Sequence, residues 1–100
     1  MKFTYEPALQ DYMRRKNKTA ITVEVVTSNN SDFEVTELYV HFSDRKQAEF
    51  FKNKKHFRSW ETEMGEVLLP PYRLEYDETI RFRLKKFLWF GFVAQEGIRL

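Results

Sequence analysis

Side chains able to do chemistry are few in this sequence. Among its one hundred residues there is no cysteine, and the only histidines are His41 and His56. Thiolate and imidazole hold zinc, iron and iron–sulfur clusters. They also supply the commonest nucleophile-and-base pairs. His41 alternates with Val40 and Phe42 and is expected to point outward as an ordinary exposed imidazole. No Ser–His–Asp arrangement is recognisable. Gly65, Gly91 and Gly97 are too scattered to form a phosphate-cradling loop. The acids Glu61, Glu63, Glu75, Asp77 and Glu78 are candidates for an all-oxygen cation site or an acid–base pair, but they lack the spacing of a calcium loop. Solvated turn carboxylates are the preferred reading. The expectation is a non-enzymatic chain with no cofactor and no metal.

Cations beside aromatics offer a different chemistry. Lys52, Lys54, Lys55 and Arg58 are interleaved with Phe51, His56, Phe57 and Trp60, and Arg81, Arg83 and Lys85 alternate along a second stretch. Such sets suit phosphate contacts and base stacking. Alternating cations on the wet face of a strand also protect sheet edges and keep a surface soluble. Lys and Arg total 17 against 15 Asp and Glu, a balance that permits nucleic acid without indicating it. Lys52, Lys54, Lys55, Arg58, Arg81 and Arg83 are therefore the candidate partner surface, with protein the favoured partner and nucleic acid the alternative. The opening MKFTYEPAL has no signal-peptide character. The longest apolar run, Phe87–Ala94, has roughly half the length needed to span a bilayer. No disulfide scaffold points to export. A cytoplasmic chain without membrane contact is expected.

These side chains need elements to place them. Thr4 suits an N-cap, with Glu6 and Pro7 in the first turn, and Leu9, Tyr12 and Met13 follow at helical spacing. A short helix over Tyr5–Lys16 is expected to pack on a sheet. Ala20–Thr27 alternates Ile21, Val23 and Val25 against polar residues and reads as a half-buried strand. Ser28–Asp32 reads as a loop and Phe33–Phe42 as a strand. Its apolar phase slips between Val35 and Leu38, which predicts a bulge near Thr36–Glu37. Ser43, Asp44 and Gln47 form an approximate capping box for a second helix with Ala48 and Phe51 on one wall.

Glu61, Glu63 and Glu66 surround an expected turn at Gly65, and Val67–Leu69 is a short strand stopped by Pro70 and Pro71. Asp77–Glu78 marks an expected change of direction. Thr79–Leu84 then puts Ile80, Phe82 and Leu84 inward and Arg81 and Arg83 outward. Phe87–Ala94 is apolar on both faces, as expected of a central or helix-covered strand; the same pattern fits a dimer contact. Gln95–Gly97 reads as a turn into a short tail. The composition, with ten Phe, five Tyr and two Trp, is ample for one core. The fold class expected is α+β in a single domain: a mostly antiparallel or mixed β-sheet, sandwich-like or partly rolled, with one or two short helices packed on it.

Taken in order, these elements resemble the HesB-type, or A-type iron–sulfur biosynthesis, family. The opening FTYEPALQDYMRRKNKTAITVEVV is similar to that family's entry of short strand, helix and strand. The closing similarity is carried by Gly65, Val67-Leu68-Leu69, Tyr72, Tyr76-Asp77-Glu78, the alternation Ile80, Phe82, Leu84, and Gly97-Ile98. The family's cluster ligands are cysteines after the second long strand and in a C-terminal Cys-x-Cys tail. Here the corresponding loop is Ser28-Asn29-Asn30-Ser31-Asp32, and the sequence ends at Leu100 without that tail. No ligand is carried over. The resemblance implies a kept fold that works through protein contacts, near iron–sulfur assembly.

Overall fold

The computed structural model describes residues 1–29 and 31–100. Its elements are β1 (Lys2–Tyr5), α1 (Pro7–Arg15), β2 (Ala20–Asn29), β3 (Glu34–Phe42), α2 (Arg45–Asn53), β4 (Arg58–Thr62), β5 (Gly65–Leu69), β6 (Glu75–Phe87) and β7 (Phe90–Arg99). The architecture is α+β, with seven strands in two mixed sheets and two short helices. The first sheet has the order β1-β6-β7, β1 running parallel to β6 and β7 antiparallel. The second has the order β3-β2-β5-β4, with only β2 and β5 parallel.

Strand alternation decides what each sheet face meets. Ile21, Val23, Val67 and Leu69 point into the main core, where Leu9 and Met13 of α1 and Ile80 and Phe82 of β6 meet them. On the other face of β2 and β5, Ala20 and Leu68 pack under Ala48 of α2. One face of the first sheet is left without a covering helix. It holds Lys2, Thr4, Arg81 and Arg83, all exposed.

The helices form largely for the reasons legible in sequence. Asp44 accepts from the Gln47 backbone N–H at 2.8 Å, and Gln47 Oε1 accepts from the Asp44 N–H at 2.9 Å, completing the capping box. The first helix begins later than its spacing suggests. Thr4 and Tyr5 belong to β1, paired with Arg81 and Phe82, and Glu6 holds the N-cap position without a side-chain cap bond. Pro7 starts the first turn, where its missing N–H is harmless.

Several strand expectations are corrected. No bulge interrupts β3: the pairs from Asn29↔Glu34 to Ile21↔Phe42 are continuous. The apolar phase slips because Phe33 and Val35 stand exposed at the loop end of the β2–β3 ribbon, beyond the core. Ser28 and Asn29 extend β2 into the expected loop, whose Asn30 lies outside the described residues. The segment Arg58–Thr62, which showed no strand pattern, forms the edge strand β4. Asp77–Glu78 does not reverse the chain; it lies within β6, where pairing with β7 skips between Tyr76 and Arg81. Gln95–Gly97 is likewise inside β7, with Gly97 at φ +112 beside that irregularity.

The largest correction concerns Phe87–Ala94. It is not one strand: α1 covers it on one face only, at Gly91, and Val93 is buried, while Phe87–Phe90 and Phe92 stay exposed. β6 ends at Phe87, Leu88 and Trp89 make a two-residue turn, and β7 starts at Phe90.

Candidate contact surface on the β6–β7 hairpin

Antiparallel pairing sets Phe87 opposite Phe90, Lys85 opposite Phe92, Arg83 opposite Ala94 and Arg81 opposite Glu96. Residues directly opposite share a face. One side of the ribbon therefore runs from two arginines through a lysine to three phenylalanines. Phe87, Leu88, Trp89, Phe90 and Phe92 are 68, 69, 81, 55 and 52% exposed. Scattered apolar residues on a surface are ordinary, but a contiguous group of large ones marks an interaction site.

Electrostatics reinforce the apolar signal. Between Glu78 and Glu96 the sequence has Arg81, Arg83, Lys85 and Lys86 and no carboxylate. Among the described residues none of these four cations forms an ion pair. Their charge is available to a partner. On the opposite side of the ribbon, Tyr12 of α1 donates a long hydrogen bond, 3.5 Å, to the Gly91 carbonyl, and its ring stacks on Phe42 at 5.7 Å. The hairpin is thus anchored at Gly91 while its apex stands free.

The remaining candidate cations lie elsewhere. Lys52 is in α2, Lys54 and Lys55 follow its end, and Arg58 starts β4 of the second sheet, whereas Arg81 and Arg83 occupy the outer face of the first. The two groups do not form one patch. Lys52 is committed to structure: its Nζ lies 2.8 Å from Glu66 Oε1 and 3.3 Å from Glu49 Oε1. Ser59 Oγ donates to the same Glu66 oxygen at 2.8 Å. The hydrogen bond from Lys52 holds the Glu66 carboxyl below the usual carboxylate range, and the same bond raises Lys52. Lys54, Lys55 and Arg58 are exposed, and Lys55 Nζ stands 5.9 Å from the Phe50 ring centre. Of the acids, Glu61 and Glu63 stay exposed, while Glu75 and Asp77 face Arg99 at 3.6 and 2.9 Å.

One constellation escaped the sequence reading. His41 is not an ordinary exposed imidazole: its side chain is 15% exposed and its Nε2 lies 2.6 Å from Glu24 Oε2. Ser43 Oγ sits 3.4 Å from His41 Nδ1, which also lies 3.1 Å from the Phe42 carbonyl. Acid, imidazole and hydroxyl are thus neighbours, but with acid on Nε2 and hydroxyl on Nδ1, the reverse of the hydrolase triad. The hydroxyl is also occupied by a buried 2.8 Å hydrogen bond with Thr22, and Ser43 is only 2% exposed. A nucleophile must reach its substrate. The set instead ties β2 to β3 and the start of α2 beneath Phe51, whose ring lies 5.9 Å from His41. The signal was the pairing of alternate residues on neighbouring strands, which needs the register.

Among the described residues no three His, Cys, Asp or Glu side chains group as a metal site. No family model matches the chain, and neither does any curated protein or solved structure.

Proposed function

We propose that this chain is a non-enzymatic contact domain of HesB-like type without cluster ligands, and that its working surface is the β6–β7 hairpin. The carrying observation is the run of exposed Phe87, Leu88, Trp89, Phe90 and Phe92 beside four cations that form no ion pair among the described residues. An apolar surface of this kind gains free energy only when something covers it. The opening order β1, α1, β2 supports the kinship, being the order that the HesB-type resemblance implies. That kinship makes protein the first partner class and iron–sulfur assembly the setting. Nucleic acid is the second reading, favoured by the column Arg81, Arg83, Lys85 along one face.

Photo-crosslinking in the source cell tests the surface itself. Benzoylphenylalanine at position 89 is expected to give adducts far more abundant than the same group at the exposed position 61 on β4. Equal yields from the two positions would remove the hairpin as the working surface.

A further inference from the structure

The hairpin has an apolar apex and, behind it along the ribbon axis, a collar in which Lys85 and Lys86 stand beside exposed Phe92. Leu88 and Trp89 form the apex, the Phe87–Phe90 pair lies behind them, and Lys86 and Lys85 follow one and two residues further back. At about 3.4 Å per residue the Lys85 position is roughly 7 Å behind that pair. Amphipathic helices resting on a bilayer bury their apolar side about 5–10 Å into the headgroup and acyl boundary, a depth that the apex of this hairpin matches. Trp belongs to the side chains that favour that boundary, and lysines favour the phosphates at its outer side.

Shape narrows the partner further. The apex is convex, and its apolar side chains come from both strands and from the turn between them. A folded protein would have to enclose such a projection, whereas a fluid surface closes around it. Leu88 adds nothing to base stacking, which needs aromatic faces, yet it sits at the summit with φ 57, an uncomfortable backbone for an L residue. An apolar side chain kept at a strained turn position points to use outside folding.

We propose that the hairpin docks on an anionic phospholipid bilayer, with Leu88, Trp89, Phe87 and Phe90 at the interface and Lys85 and Lys86 at the headgroup phosphates. The inference rests on the reading of the hairpin as the working surface, and for its tip it sets a lipid surface in place of the protein partner favoured above. Docking of this kind is peripheral. Among the described residues no helix is long and apolar enough to cross a membrane.

The test is co-sedimentation of the full chain with phosphatidylcholine vesicles containing or lacking phosphatidylserine. Tryptophan emission is followed in parallel. Trp89 is 81% exposed and must shift to the blue on insertion, while half-buried Trp60 serves as the internal constant. Binding is expected only with phosphatidylserine and should weaken as salt rises. Lys85→Glu with Lys86→Glu should abolish it, and neutral replacements should weaken it roughly fivefold per cation. Leu88→Ser with Trp89→Ser should remove binding while leaving the thermal unfolding midpoint in place.

Absence of binding to either vesicle overturns the lipid assignment. So does binding that survives the apex variant, tip-dependent binding of single-stranded RNA without vesicle binding, or a concentration-dependent dimer that needs the tip. If crosslinking at position 89 still gives protein adducts, the working surface stands and only the lipid assignment falls. If position 89 gives no excess of adducts, the broader reading falls as well.

Discussion

Tyr12 of α1 lies so close to Gly91 of β7 that a Cβ on the glycine would overlap the tyrosine ring. Gly91 has no positive φ; it is a glycine because of this approach. Gly91→Ala must therefore push the ring away or bend the strand, at a cost of about 1–3 kcal/mol. In urea unfolding the single variant should show this loss. A companion Tyr12→Ala/Gly91→Ala protein should lose less than the sum of its parts, because the overlap is gone. Strict additivity would mean that the two residues do not meet.

The Lys52–Glu66 pair gives the fold an acid limit. Its side chains are 26% and 23% exposed, and the hydrogen bond from Lys52 depresses the Glu66 carboxyl. A group whose folded value lies below its unfolded value stabilises above the unfolded value, near 4.3 for Glu. That contribution declines as pH falls through the depressed folded value. Lys52, raised by the same contact, contributes below its ordinary value and loses this only as strongly alkaline pH passes the raised one. Glu66→Gln should flatten the acid limb of a plot of unfolding midpoint against pH. Its effect at neutral pH should stay within about 1 kcal/mol. An unchanged acid limb would assign that limb to other carboxylates.

Tyr76 packs against the main core opposite Ile98, and its hydroxyl is buried with no hydrogen-bond partner among the described residues. An unmade hydrogen bond costs more than a missing group. Tyr76→Phe keeps the ring and should be neutral or stabilising by up to about 1 kcal/mol. Burial also raises the Tyr76 phenol, so its contribution holds below about pH 10 and is lost as pH climbs through the raised value. The Phe variant should lose part of the alkaline sensitivity. Tyr5, raised by burial in the same sense, keeps the rest. A clear drop in stability at neutral pH would show that the hydroxyl is bonded after all.

What the sequence made legible is what one-sided burial writes into it. Ile21, Val23, Leu9 and Met13 follow the period of their elements because one face of each meets the core. Asp44 and Gln47 are readable because a capping box is local chemistry. Edge strand β4 was invisible, since Trp60 is the only large apolar residue among Arg58–Thr62 and the partner β5 supplies the order. Phe87–Phe92 misled for the opposite reason. A run apolar on both faces looks the same whether both are buried or, as here, one is largely exposed. Its turn carries Leu-Trp where Asn-Gly or Gly-X would have announced a hairpin. The Glu24–His41–Ser43 alignment depends on β2–β3 register, which no single segment encodes.

Leu88 allows folding and contact to be separated at one residue. It opens the turn at φ 57, and its side chain is 69% exposed, so replacing it removes little packing. An L residue in the left-handed region is disfavoured by about 1–2 kcal/mol, and glycine escapes that cost while adding about 0.5–1 kcal/mol of unfolded-state entropy. Leu88→Gly should therefore be neutral to about 1 kcal/mol more stable, read as an unchanged or higher urea midpoint. The same protein should associate less with phosphatidylserine vesicles, having lost the aliphatic summit of its apex. A substitution that helps the fold and harms the contact is the signature expected of a residue retained for binding. If the urea midpoint instead falls clearly, Leu88 is holding the hairpin together. Its strained position would then belong to folding and not to a partner.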